Sequence, residues 1–446
     1  MMQQLNWPSV TIIVLNYNGR FLLKTCLDAL LTIDYPQYKI VLVDNASTDD
    51  SLAYMQAHFP NIKVIVNTEN RGFAAGNNSA LRMSQTEFAV LVNPDIVVTI
   101  NWLKQLIEPM LADHSIGITG CKLLYPDGKT LQHAGGIITM PQAFPDHFGV
   151  HAIDSGQFDT QNDVDYVIGA ALAIRRETLA TIGLLDEGFF LYYEDSDWCS
   201  RARRAGYRVV YVPTAVAIHD ESAIAGQGGP TYQRRFHSSR WRYLLKHTPA
   251  ETLLNATFPA EMDWLKQRDP SLQRRLAAVY RQTLFALPEI WQTRTADGAA
   301  AVPPDTQYQI TEKLLGLHHT AMQAFQLSTD FNQFAQAATV EERPFISTTP
   351  LIGSILVKLR TLWLNMAARW YIRPLTGQQN SFNHALLHEL QTTAVELNRR
   401  GEILLAQESD QIALQHQQAD LHAELAQLEK NLTNIAARLQ RLQKTT

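Results

Sequence analysis

The first 100 residues alternate short apolar runs with amphipathic stretches. Between the runs, three stretches predict helices, at Phe21–Leu31, Asp49–His58 and Ala74–Met83. The runs are rich in β-branched residues and predict four buried strands: Val10–Leu15, Lys39–Val43, Ile62–Val66 and Phe88–Val92. This alternation predicts an α/β fold with a mostly parallel twisted sheet and helices on both faces.

Polar segments follow three of these strands directly. They are Asn16–Gly19, Asp44–Thr48 and Asn93–Asp95. Ligands of parallel sheets bind beyond the carboxyl ends of the strands, so we expect the functional site to be built from these segments.

The pattern from Ile116 to Asp220 is mixed. It predicts strands at Asp165–Ile174 and Arg208–Val212, and a helix at Ser196–Ala205. The segment 126–158 is rich in Gly, Pro and His, which predicts long loops.

A chain of 446 residues exceeds the usual length of one domain. We predict a main α/β domain at 8–248, a helical accessory region at 249–348, and an amphipathic helix with a C-terminal coiled coil at 349–446. Apolar and basic residues at helical spacing in 351–371 predict either peripheral contact with an anionic membrane or a helix packed on the main domain. Leucine spacings of 4 and 3 within 414–442 predict homo-oligomerisation, with an antiparallel hairpin as the alternative.

Composition narrows the possible partners and compartments. The formal net charge is -5 and the first half contains no basic stripe, so we expect no nucleic acid partner. The amino terminus has no apolar h-region, and no stretch of 18 uncharged apolar residues occurs, so we expect neither a signal peptide nor a membrane span. The three cysteines are far apart and suit a reducing compartment. We therefore expect a cytoplasmic protein, with a peripheral position on the inner face of the membrane if 351–371 binds lipid.

Asp95 follows the apolar strand Phe88–Val92 directly, where its carboxylate could hold a divalent cation. Asn93 and Pro94 would shape the turn. An ordinary turn that closes a strand explains Asn-Pro-Asp equally well. His219, after a run ending in Ile218, could add a nitrogen ligand or be purely structural.

Three carboxylates, Glu194, Asp195 and Asp197, follow an aromatic run and open the predicted helix. Crowded carboxylates raise one another's pKa, which suits a general base. Acidic residues also cap helix amino termini, and Asp197 with Arg201 forms an i,i+4 pair. We take Asp197 as structural and Asp195 as the candidate base, with Glu194 in support.

A nucleotide could be bound at the other strand ends. The Asp44 carboxylate could accept the imide N–H of uracil or thymine, unless it only caps the next helix. Arg71 could reach a phosphate, and the glycines after it, including Gly76, permit close backbone approach. The remaining candidate contacts are Asn16, Asn77 and Asn93.

Together these segments closely resemble glycosyltransferase family 2, and within it the bacterial rhamnosyltransferase-like branch. The resemblance runs from Val10 to His219, about half of the chain. Its motifs occur in the family's order: Val10–Gly19, Val43–Asp49, Glu69–Asn78, Leu91–Asp95, Gly169–Arg176 and Phe190–Trp198.

The resemblance implies a GT-A fold, an inverting single displacement and a Mg²⁺ or Mn²⁺ cofactor. It places Asp95 at the last acid of the family's Asp-x-Asp motif, Asp195 at the base and His219 at a metal-ligand position of some relatives. Asp44 and Arg71 match positions that contact the nucleotide. The first acid of Asp-x-Asp is Asn93 here, which leaves one fewer charged metal ligand. Asparagine at this position is familiar in the rhamnosyltransferase-like branch, and this resemblance favours a dTDP-linked deoxysugar such as rhamnose over a UDP-hexose.

We therefore expect a metal-dependent glycosyltransferase that moves a sugar from a dTDP- or UDP-linked donor onto a cell-surface glycan or a lipid-linked acceptor. The alternative is a catalytically inactive GT-A scaffold that recruits partners through its coiled coil. A dinucleotide-dependent oxidoreductase is excluded because Asn16–Gly19 lacks the G-x-G-x-x-G phosphate loop.

Overall fold

The computed structural model describes residues 7–220 and 229–323, together with the helical pieces 357–358, 362, 378–388, 390 and 393. The chain divides into two compact units, Met1–Ala321 and Met322–Thr446, and everything that follows concerns the first. The predicted coiled coil and nearly all of the predicted amphipathic helix lie outside the described residues.

Twelve strands are assigned within the described ranges of the first unit. They are β1 (Val10–Asn16), β2 (Tyr38–Asp44), β3 (Lys63–Val66), β4 (Phe88–Val92), β5 (Ile96–Val98), β6 (Ile116–Leu124), β7 (Leu131–His133), β8 (Gly136–Thr139), β9 (Phe144–His147), β10 (Asn162–Asp163), β11 (Ala171–Arg175) and β12 (Arg208–His219).

The α-helices of the same ranges begin between the early strands and dominate after β12. They are α1 (Arg20–Leu31), α2 (Ser51–His58), α3 (Gly72–Leu81), α4 (Trp102–Ala112), α5 (Arg176–Ile182), α6 (Glu194–Arg204), α7 (Pro230–His247), α8 (Ala250–Thr252), α9 (Phe258–Lys266), α10 (Pro270–Ala296) and α11 (Pro304–Met322). A π-helical turn at Leu253–Thr257 joins α8 to α9.

The central sheet has the strand order β10-β12-β6-β11-β4-β1-β2-β3, with β5 paired to β12 and β7 to β6. Strands β4, β1, β2 and β3 are mutually parallel. Strand β11 is antiparallel to both β4 and β6, whereas β6 and β12 run parallel to each other. A separate hairpin is formed by β8 and β9.

Side chains alternate between the two faces of β1. On one face, Ile12 and Val14 share a buried core with Leu23 and Leu27 of α1. On the other face α3 lies so close that a Cβ added at Gly76 would be 2.7 Å from a methyl carbon of Leu15. Helices therefore cover both faces of the sheet, as the sequence predicted.

The first four strands and three helices begin and end within about two residues of their predicted bounds. The predicted strand at Asp165–Ile174 is wrong in its first half, because regular pairing begins only at Ala171. Before that point the chain bonds to the β8 hairpin: the Asp165 N–H donates to the Gly136 carbonyl, and the Asp165 carboxylate accepts from the Ile138 N–H. The expected loops of 126–158 contain three short strands, β7 to β9.

Helices α7 to α11 belong to the same compact unit as the sheet. Helix α7 packs on α10 and α9: Trp241 meets the edge of Tyr280 of α10 and stacks on Phe258 of α9. The predicted domain boundary after residue 248 stays a prediction. Among the described residues, no helix has both the length and the hydropathy needed to cross a bilayer.

Candidate active site

A cleft of about 620 Å³ opens at the carboxyl ends of β1, β2 and β4. On the sheet side it is lined by residues that end or follow these strands, including Leu15, Asn45 and Asn93. Tyr192 and Tyr232 line it as well, and their rings meet with centroids 5.1 Å apart. We call this the strand-end cleft.

Asp95 and His219 come together beside this cleft, although they are 124 positions apart in the chain. The pairing of β12 with β5 places His219 opposite Ile96, next to Asp95. His219 Nε2 is 3.4 Å from Asp95 Oδ1, both side chains are buried, and neither atom has a hydrogen-bond partner among the residues that the structure describes. Two buried polar atoms without partners that face each other are costly unless a further group joins them.

The other nitrogen of His219 is already engaged. Its Nδ1 lies 2.6 Å from Oε1 of Gln132 on β7. Because an amide oxygen only accepts, Nδ1 carries the proton and the lone pair of Nε2 faces Asp95. This is the second-sphere arrangement that typically orients a metal-ligating histidine, so the residues fit a divalent cation.

Within the described ranges, no group of three or more His, Cys, Asp or Glu side chains is placed to hold a metal ion. Asp95 and His219 therefore offer two protein ligands, and any further ligands would come from the substrate or water. Asn93 lines the strand-end cleft beside them.

Asp195 lies in the first turn of α6 with both carboxylate oxygens bound to backbone. Oδ2 accepts from the Gly169 N–H at 2.8 Å, and Oδ1 accepts from the Ser196 N–H at 2.6 Å. Burial nevertheless raises the pKa of Asp195 above its ordinary value. A carboxylate held in a fixed orientation with a raised pKa is suited to accept a proton.

The pKa values of the three neighbouring carboxylates are not all shifted in the same direction. Burial, and then the charge of Asp195, raise the pKa of Glu194 well above its usual range. Burial alone would raise the pKa of Asp197 too, but Arg201 and Lys246 hold it well below its usual range. The expectation that all three raise one another's pKa is thus wrong for Asp197, whose pair with Arg201 at 2.8 Å confirms its structural assignment.

Two consecutive tyrosines just before α6 have left-handed backbone conformations. The φ angles are 71° at Tyr192 and 65° at Tyr193. Such conformations cost bulky residues free energy and concentrate at functional sites. Here they turn the chain from the cleft wall into α6, which begins at Glu194.

One short segment connects the two halves of the site. Strand β11 lies beside β4, and the Asn93 N–H donates to the Ala170 carbonyl at 2.8 Å. The preceding residue, Gly169, donates to Asp195. Asn93, two residues before the candidate metal ligand Asp95, and the candidate base Asp195 are therefore bonded to consecutive residues of one segment.

The candidate nucleotide contacts are more dispersed. Asp44 is fully buried, and its oxygens accept from Asn16 Nδ2 at 3.1 Å and from the Ser47 N–H at 3.0 Å. Both side chains thus lie beneath the strand ends rather than in the cleft lining. Asn77 is buried and bonds to the Phe73 carbonyl. Arg71 pairs with Glu187 at 3.0 Å.

Several residues of the site were not singled out from the sequence. Gln132 lies 87 positions from the histidine that it binds, so no local signal connects them. The His133 and His147 Nδ1 atoms are 2.8 Å apart, and burial followed by the charges of His147 and His219 lowers the pKa of His133. Tyr232 on α7 also lines the cleft. In the sequence, only a four-residue spacing of aromatic residues points to it.

The sequence is similar to those of known glycosyltransferases. Residues 11–183 match the model of Glycosyl transferase family 2. The O-antigen biosynthesis protein RfbC of Myxococcus xanthus is 31% identical over 48% of this chain and 18% of its own. The matched part thus spans less than a fifth of that relative.

Two shorter relatives are covered more fully. Rhamnosyltransferase WbbL of Escherichia coli is 26% identical, over 54% of this chain and 90% of its own. The N-acetylglucosaminyl-diphospho-decaprenol L-rhamnosyltransferase of Mycobacterium tuberculosis is 23% identical, over 46% of this chain and 74% of its own. Residues 11–183 therefore form a glycosyltransferase family 2 domain with the GT-A fold, and the chain is similar to bacterial rhamnosyltransferases.

Proposed function

We propose that this chain is an inverting, metal-dependent glycosyltransferase with Asp195 as its general base. The proposal rests on two features of the site, a pair of facing ligand atoms and an anchored carboxylate. Asp95 Oδ1 and His219 Nε2 face each other without a hydrogen-bond partner among the described residues, and Asp195 is anchored to Gly169 with a raised pKa.

In this reaction the acceptor hydroxyl attacks the anomeric carbon of the donor sugar. A carbon–oxygen bond forms to the acceptor, the bond to the nucleoside diphosphate breaks, and the hydroxyl proton passes to an Asp195 oxygen. A Mg²⁺ or Mn²⁺ ion held by Asp95 and His219 would neutralise the charge that develops on the leaving diphosphate. The Gly169 and Ser196 N–H groups keep the Asp195 carboxylate in place during the transfer.

The strand-end cleft would hold the donor. Its volume of about 620 Å³ lies within the usual range for small-molecule sites, and aromatic rings of Tyr17, Phe73 and Tyr192 line it. We further propose a dTDP-linked deoxysugar such as rhamnose as donor and a lipid-linked or cell-surface glycan as acceptor. The names of the two rhamnosyltransferases support the sugar, and that of the mycobacterial one supports a diphospholipid acceptor.

Replacement of Asp195 tests the assignment of the base. Asp195→Asn keeps the shape of the side chain but removes the basic oxygen. Turnover should fall by about two to four decades, the usual contribution of a general base to the rate. Calorimetric binding of the nucleotide should stay unchanged. Asp28→Asn, which alters an exposed carboxylate on α1, is the matched control. Near-normal turnover of Asp195→Asn would remove this residue from the role.

The nucleotide and cation are identified by binding. A thermal-shift panel of nucleotide sugars with Mg²⁺ or Mn²⁺ should show the largest stabilisation for the true donor, because ligands that bind only the folded state raise its stability. The departure at Asn93 keeps an inactive scaffold as the second candidate. That scaffold would release no nucleoside diphosphate when donor and acceptor are both present.

Assembly and membrane contact are separate proposals based on sequence. Homo-oligomerisation would depend on 414–442, and truncation before that segment should then yield monomers in sedimentation experiments. Peripheral membrane contact would depend on 351–371. Liposome co-sedimentation that is unchanged by deletion from Leu351 onward would count against it.

A further inference from the structure

A second cavity, of about 420 Å³, adjoins the strand-end cleft. It lies between α7, α10 and the loop that precedes α6, and we call it the α7–α10 cavity. Phe190, Leu191 and Arg235 line both cavities and form a wall that the two share. The Ser239 hydroxyl donates to the Leu191 carbonyl at 2.8 Å and fixes the shared wall.

The charges that line the α7–α10 cavity are all positive. Arg242 is neutralised, because Asp186 accepts from it at 2.9 Å and Glu289 at 2.6 Å. Arg234 and Arg235 form no ion pair within 7–220 and 229–323; the Arg235 guanidinium lies 4.6 Å from the Phe190 ring centroid. Among the described residues, no carboxylate lines either cavity. Two arginines that have no counter-ion in the described part of the chain and line an open cavity match an anionic ligand.

The rest of the lining narrows the class of ligand. Ser238 and Gln282 offer neutral hydrogen-bonding groups, while Leu191 and Ile290 present apolar surface. A phosphate ester combines a multivalent oxyanion with a less polar body, and guanidinium groups bind phosphate oxygens in pairs. A cationic or fully apolar ligand would leave these arginines unmatched.

We propose that the α7–α10 cavity binds a phosphate ester carried by the acceptor, with Arg234 as its main contact and Arg235 at the junction with the donor. The proposal rests on the proposed function, because it assigns the strand-end cleft to the donor. Arg234 lines only the second cavity, so its role is separable from donor binding. Leu191, which lines both cavities, precedes Asp195 by four residues, so the shared wall is joined by a short segment to the first turn of α6.

Two probes distinguish the sources of the phosphate. Farnesyl phosphate represents a lipid-linked acceptor and glucose 1-phosphate represents a glycan phosphate. Each is titrated by calorimetry into the full chain saturated with dTDP or UDP and Mg²⁺, so that the strand-end cleft is filled. Arg234→Gln should weaken binding of the preferred probe about tenfold, the effect of losing one charge-assisted hydrogen bond. Arg274→Gln, an exposed arginine of α10 outside both cavities, should leave it unchanged.

Tighter binding of farnesyl phosphate than of glucose 1-phosphate supports a lipid-linked acceptor, and the reverse supports a glycan phosphate. The proposal is overturned if neither probe binds the nucleotide-saturated chain, if farnesol binds as well as farnesyl phosphate, or if Arg234→Gln and Arg274→Gln behave alike. Nucleotide binding is measured separately on each variant. If the unmodified chain does not bind nucleotide, the proposed function is refuted. If it binds nucleotide but not the phosphate probes, only the assignment of the cavity is refuted.

Discussion

Gln132 should control the affinity of the proposed metal site without touching the metal. Its Oε1 accepts from His219 Nδ1 at 2.6 Å and keeps the Nε2 lone pair facing Asp95. In Gln132→Leu the Nδ1–H loses its acceptor in a buried site, which costs about 1–3 kcal/mol. The imidazole can then move its proton to Nε2 and donate it to Asp95 Oδ1, only 3.4 Å away. That tautomer blocks both protein ligands at once.

Loss of such an outer partner usually lowers metal affinity about 10- to 100-fold. We expect a loss of this size for Mn²⁺, measured by electron paramagnetic resonance of the free ion or by calorimetry, with the nucleoside diphosphate present. Gln132→Glu keeps an acceptor at the same place and should retain the affinity. Gln142→Leu, which removes an amide bonded to Glu261 instead, is the matched control.

Two results would contradict this reasoning. If Gln132→Leu binds Mn²⁺ within about twofold of the unmodified chain while Asp95→Asn does not bind it, the tautomer argument fails and the metal site stands. If Asp95→Asn also binds Mn²⁺ normally, the metal site itself is misplaced.

Three further outcomes are expected. Burial raises the pKa of Asp195 above its ordinary 3.8. Because the base must be ionised, kcat/KM should fall as the pH is lowered, with its midpoint at a pH above that value. A midpoint at or below 3.8 would count against Asp195. Glu261→Gln leaves the fully buried Arg240 without its counter-ion and should lower the free energy of unfolding in urea by about 3–5 kcal/mol, whereas the exposed Glu251→Gln should change it by less than about 0.5 kcal/mol. Gly72→Ala should destabilise the chain more than Gly128→Ala, since both have positive φ but only at Gly72 would the new Cβ meet a carbonyl, that of Phe190, at 2.2 Å; equal effects would mean that the contact yields.

The sequence predicted the parallel half of the fold because its strands are buried on both faces. Such strands are continuous apolar runs that few other elements imitate, and β4 was predicted to the residue. Strand β11 was misplaced at its start because Asp165 and Tyr166 bond to a hairpin that is distant in sequence. Local patterns contain no information on such pairings.

The candidate site also contains residues that local sequence patterns identify and residues that depend on pairings distant in sequence. Asp95 and Asp195 were identified because each directly follows or opens a predictable element. Gln132 was not, because its role exists only after β7 and β12 are both placed beside β6. The burial of Asp44 under the strand end is likewise a property of packing, and its contact with a nucleotide base stays a prediction.

The segment Gly169–Ala170 has a consequence for how such an enzyme can diverge. The Ala170 carbonyl accepts from Asn93 and the Gly169 N–H donates to Asp195, so backbone groups of one segment set the separation between Asn93 and the candidate base. The residues of α7 and α10 that line the α7–α10 cavity form neither of these bonds. Under the proposed function, substitutions there can exchange one acceptor for another without altering that separation.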